Sequence, residues 1–158
     1  MGAAETTVPA PPGRSWNLTT SDGDTATGYL PGWAEEDPSR TDVPPGALRA
    51  AVYDVIHRAP FDGQLIRFAK GGYGQGESFW VLAGNIECIP EADADQPSDP
   101  VVNIHLIEDF WLSGLGPEEL ATFAAKLRAQ ADLLDRDIRP QLIACRADWA
   151  ARHGASDG

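Results

Sequence analysis

One apolar stripe does more than any other feature to limit how this chain can fold. Leu120, Phe123, Ala124, Leu127, Ala131, Leu134 and Ile138 recur at helical spacing, and Leu142, Cys145 and Trp149 carry the same face onward. Gly116 and Pro117 suit the start of such a helix, and Glu118 and Glu119 suit its positive end. Pro140 lacks an N–H and must break or kink the helix. The spacing Ile138, Leu142, Cys145, Trp149 predicts that one face continues past it. A helix of this length overhangs any small sheet, so its end is a candidate self-association surface.

What precedes the stripe reads as strand. Residues 101–108, VVNIHLIE, alternate, with Val102, Ile104 and Leu106 on the apolar face. Residues 63–70 alternate as well, and a further strand is expected from Phe79 to Ile89, bent near Gly84-Asn85. The glycine-rich run 71–77 between them reads as a hairpin connection or flap. A phosphate-cradling loop needs a helix after it, and here a strand follows. Residues 46–58 carry Leu48, Val52, Val55 and Ile56 at helical spacing and end at Arg58-Ala59-Pro60, so a helix is expected there. Helix, three strands and a long helix make an α+β fold: a three-stranded antiparallel sheet with helices packed on one face. Residues 1–28, rich in Ala, Thr, Pro, Gly, Ser and Asp, read as a flexible leader. Residues 29–153 then form one α+β domain, and 154–158 a disordered tail. Within it, 29–45 holds four prolines and reads as an irregular strap anchored by Tyr29, Leu30, Trp33 and Val43.

The 158 residues carry a net charge of −12, unevenly placed. Residues 46–90 balance, whereas 91–113 hold six acids and no base. Such a chain repels phosphate backbones and anionic membranes, so neither nucleic acid nor membrane is an expected partner. The order of elements matches that of a double-stranded RNA-binding domain. That module needs a basic start to its last helix, and this one reads Gly116-Pro117-Glu118-Glu119. No stretch is apolar enough to span a bilayer, no signal peptide opens the chain, and two isolated cysteines suit a reducing, cytoplasmic setting.

No nucleophile elbow, zinc motif or kinase signature is present. No cofactor and no metal site is expected, and the leading expectation is a non-enzymatic interaction or accessory module whose partner is protein, itself or another. A second reading is a small-molecule-binding protein or enzyme. Its pocket would lie between strap and sheet, lined by Trp33, Trp80, Phe110 and Trp111, with Asp37, His57 and His105 as its polar groups. His57 with Asp54, Asp37 or His105 is the candidate acid–base pair. Each has a plainer alternative: Asp37-Pro38-Ser39 a turn, His105 a structural histidine, Phe110 and Trp111 core. A weaker reading is nucleic-acid mimicry by the acids of 91–99.

The stretch LPGWAEEDPS, the segment VYDVIH and the block from Val101 to Ala150 resemble a family of small uncharacterised actinobacterial proteins of the Streptomyces type. The resemblance covers about residues 29–152 and implies a bacterial cytoplasmic setting. Relatives bear a Cys- and His-containing segment of zinc-binding kind near the tryptophan. Here that place reads Leu30-Pro31-Gly32-Trp33-Ala34-Glu35-Glu36-Asp37, which offers no such ligand.

Overall fold

In the computed structural model, residues 12–69, 76–96 and 99–153 are described. They form two compact units, divided between Gly116 and Pro117. The fold is α+β, but with three sheets in place of the one expected.

The first sheet comes from residues expected to be leader. Strands β1 (Arg14–Thr20) and β2 (Thr25–Leu30) form an antiparallel hairpin. Trp16, Leu18 and Thr20 alternate inward and are buried, as a half-buried strand requires. Asp22-Gly23 makes the turn: Gly23 takes φ +99, and the Asp24 N–H donates to Thr20 Oγ1 at 2.8 Å. Strand β3 (Arg40–Val43) joins the other edge of β1 in parallel, completing the order β2-β1-β3. Helix α1 (Leu48–Tyr53) packs against β1 and β2. The core between them is Trp16, Leu18, Leu30, Val43, Ala51 and Val55. Each buried Leu or Val among them contributes about 1.5–3 kcal/mol. The leader reading is therefore corrected for residues 14–28; residues 1–11 and the expected tail 154–158 lie outside the described residues.

Helix α1 covers six residues rather than the thirteen expected. Beyond Tyr53 come the β-branched pair Val55-Ile56 and then Pro60, all poor helix continuers, and His57 opens strand β4 (His57–Phe61). This strand is an edge of the second sheet, in the order β4, β7 (Gly84–Cys88), β8 (Val101–Ile107) and β9 (Phe110–Leu115), and a proline is tolerated at an edge. Strands β5 (Gln64–Phe68) and β6 (Glu77–Val81) pair antiparallel as expected; residues 71–75 of the glycine run lie outside the described residues. The expected strand from Phe79 to Ile89 is two strands in two sheets. Leu82 takes φ 64 between β6 and β7 (Gly84–Cys88), and the Leu82 N–H donates to the His105 carbonyl while the His105 N–H donates to that of Ala83, both at 2.8 Å. Strand β8 (Val101–Ile107) is the third expected strand, and Ile104 is its buried residue. A tight turn at Glu108, φ 50, then leads into β9 (Phe110–Leu115), which the sequence reading did not anticipate.

The second unit is continuous helix: α2 (Pro117–Leu133), a π-helical turn at Leu134–Ile138, and α3 (Arg139–His153). Pro140 neither breaks nor ends it. Its ring would clash with a carbonyl one α-turn back, and it has no N–H to donate. The chain widens instead by one hydrogen-bond step, and the Arg139 N–H donates to the Leu134 carbonyl five residues earlier. Ion pairs Asp132–Arg136, Asp135–Arg139 and Asp148–Arg152, each four residues apart, brace this stretch. Among the described residues no helix is long and apolar enough to cross a membrane.

Candidate binding surfaces

The seven candidate residues do not meet in one pocket: five fall into two groups at two separate clefts, and Asp37 and Phe110 lie outside both. The first gathers Trp33 and His57. His57 opens β4 opposite Cys88 of β7 and is only 2% exposed. Trp33 meets its ring edge-on, centroids 6.5 Å apart. Among the described residues, neither ring nitrogen of His57 has a hydrogen-bond partner, and nor does the buried indole N–H of Trp16. Burial disfavours the charged imidazolium and lowers the pKa of His57; the Tyr29 backbone opposes that shift without completing a hydrogen bond to either nitrogen. Both residues line a cleft of about 430 Å³ together with Tyr29, Val52 and Cys88. Burial, and then the charge of Asp99, push the Cys88 thiol up, so the thiolate is disfavoured here.

His57 thus opens a strand rather than lying within a helix, and among the described residues no carboxylate pairs with it. Asp37 belongs to a turn. Its Oδ1 accepts the Ser39 N–H at 2.9 Å, and Arg14 lies 3.5 Å from its other oxygen. The Ser39 hydrogen bonds, and less so Arg14, hold its carboxyl below the usual range.

The second place gathers Trp80 and His105, with Trp111 beside them. A cavity of about 640 Å³ opens between the β5–β6 hairpin and the end of β8, lined by Phe68, Phe79, Trp80, His105, Ile107 and Glu108 among others. His105 Nε2 donates to the Glu108 carbonyl at 2.6 Å, and its ring packs on Trp111 at 4.8 Å. That bond and that stacking hold the His105 ring against its own strand end and β9. Phe110 lies apart from both clefts and is 66% exposed. Its core assignment is corrected, as is that of the exposed Trp111, because β9 is the edge of its sheet.

The third surface is the helical unit. No residue of α2 or the π turn is buried, and Leu127, Leu134, Ile138, Leu142 and Trp149 are all exposed, Trp149 by 66%. The stripe has a period that the sequence reading missed. Leu120, Ala131 and Leu142 are eleven residues apart; so are Phe123, Leu134 and Cys145, and Leu127, Ile138 and Trp149. Eleven residues over three turns is 3.67 per turn, close to the natural winding of an α-helix. Trp16 and Cys88 were missed too, Trp16 because it was assigned to the leader. The alternation Trp16, Leu18, Thr20 before Asp22-Gly23 was the available signal. Among the described residues no group of three or more His, Cys, Asp or Glu could hold a metal ion.

A family model described as a domain of unknown function (DUF6907) matches residues 16–144. It begins inside β1 and runs through α2 into α3. No curated protein and no solved structure matches.

Proposed function

The chain belongs to the DUF6907 family, and we propose that it is a non-enzymatic protein-interaction module whose helical unit pairs with that of a second copy. The observation that carries this reading is the eleven-residue repeat of apolar side chains along residues 120–149, half-buried at Leu120 and Phe123 and exposed from Leu127 onward. A monomer rarely leaves so long an apolar stripe in water. An eleven-residue period suits a nearly straight, slightly right-handed supercoil.

The stripe is also complementary to itself. An antiparallel pairing centred between Leu134 and Asp135 sets Leu120 against Trp149, Leu127 against Leu142 and Ala131 against Ile138. It brings the acidic start, Glu118-Glu119, toward Arg146 and Arg152 of the other copy, and it opposes the helix dipoles. One surface serves both copies, as two-fold symmetry requires. The cytoplasm of an actinobacterium is the setting we propose for this pairing.

Sedimentation equilibrium of the full chain tests it. The wild type should run as a dimer, and the double substitution Leu134→Asp, Leu142→Asp as a monomer whose strand signals in the far-ultraviolet circular dichroism are retained. A wild type that stays monomeric at every concentration, with the stripe covered by its own chain, would sink the reading.

A further inference from the structure

The larger cavity has a chemistry that the pairing of helices does not use. Its walls are aromatic and apolar: Phe68 at the end of β5, Phe79 and Trp80 on β6, and Ile107 at the end of β8. The Phe68 and Phe79 rings stand 6.1 Å apart and tilted by 56°, so together they make a corner rather than a flat stack. Phe79 and Trp80 are both exposed, which leaves the corner open to a ligand. The charged residues lining the cavity are Glu77, the cross-strand neighbour of Phe68, and Glu108, in the turn after β8. No lysine or arginine is among its described lining residues. His105 contributes no spare donor at Nε2, because that nitrogen is engaged by the Glu108 carbonyl.

Aromatic faces and carboxylates have one preference in common. A ring face carries negative electrostatic potential and attracts a cation lying within about 6 Å of its centroid. An anionic ligand would meet two like charges on a chain of net charge −12. A neutral ligand would leave both carboxylates without compensation. A primary ammonium is a compact, strongly hydrated charge that asks for three acceptors, and two carboxylates beside apolar walls serve it poorly. A methylated ammonium spreads its charge over an apolar outer surface and loses little on leaving water.

We propose that this cavity binds an organic cation bearing a methylated ammonium group, with Phe68 and Phe79 against the methyl groups and Glu77 and Glu108 balancing the charge. A volume of about 640 Å³ exceeds what the head group alone needs. The rest of the ligand, whether a short alcohol chain or the stem of a methylated lysine, extends toward the open side.

Calorimetric titration of the full chain with choline, and with its uncharged carbon isostere 3,3-dimethylbutan-1-ol, separates charge from shape. Choline should bind saturably, and the isostere at least about tenfold more weakly. Glu77→Gln, at an exposed carboxylate, and Phe79→Leu should each weaken choline about tenfold while the melting temperature of the Glu77→Gln chain stays unchanged. A short neutral peptide carrying trimethyllysine, run beside its unmodified twin, identifies the source. Tighter binding of the methylated peptide than of choline points to a protein side chain, and weaker binding points to a free small cation. Equal binding of choline and its isostere, or no saturable binding of choline or the methylated peptide, would overturn the proposal.

Discussion

His57 is held neutral by its surroundings rather than by a partner. Its ring is buried, neither nitrogen has a hydrogen-bond partner among the described residues, and burial lowers its pKa from 6.5. In that case the unfolded chain takes up the proton first as pH falls. The stability contributed by a neutral His57 is complete above pH 6.5 and is lost as pH drops from there through the folded-state value. Melting followed from pH 8 to pH 5 should therefore show a falling midpoint below about pH 6.5. The variant His57→Leu, which removes the unpaired nitrogens, should flatten that limb and match or exceed the wild type above it. The Asp37 carboxyl loses its stabilisation only at lower pH, since its depressed pKa starts from 3.8. The two effects are therefore separable in one titration.

Trp16 makes a second demand at this scale. A Cβ on Gly28, its cross-strand partner, would lie 2.3 Å from the indole ring. Trp16 is part of the core and has little room to retreat. Gly28→Ala should cost about 1–3 kcal/mol in denaturant unfolding, as overpacking does.

Among the elements, the π turn before Pro140 has an identifiable cause, and removing the cause should remove the turn. Pro140→Ala returns an N–H and takes away the ring that crowds the preceding carbonyl. Backbone chemical shifts of Leu134–Ile138 should move to ordinary α-helical values. The helical unit should gain about 1–3 kcal/mol, read from its far-ultraviolet melting. Among the strands, the β1–β2 hairpin shows how a legible signal can be passed over. A Pro- and Ala-rich opening drew residues 14–28 into a leader, although Asp22-Gly23 stood between two alternating runs. The third strand, Val101–Ile107, was found because its alternation is uninterrupted.

For the whole molecule, pairing through the helical unit ties stability to concentration. If the dimer forms, the melting midpoint of α2 and α3 should rise with protein concentration by mass action. The melting of the first unit, read from near-ultraviolet signals of Trp16 and Trp33, should stay where it is. A midpoint independent of concentration for both would count against the pairing. The net charge of −12 bears on the same scale, since it disfavours anionic partners for either surface.

Local chemistry was enough to determine the mixture of strands and helix, the long C-terminal helix and the antiparallel pairing of β5 with β6. Each of these rests on periodicity or turn residues within some thirty positions of chain. Which strands share a sheet was decided elsewhere. A left-handed Leu82 sends β6 and β7 into different sheets, and β3 joins β1 in parallel. Pairing of that kind depends on contacts between distant residues, and an alternating strand is locally compatible with many neighbours. The candidate sites divide in the same way. Trp33, His57, Trp80 and His105 were visible as residue types with chemistry to offer. Only the folded sheets separate the first pair from the second and place Phe68, Phe79 and two carboxylates around one cavity, because burial and proximity are properties of packing, not of any single stretch of sequence.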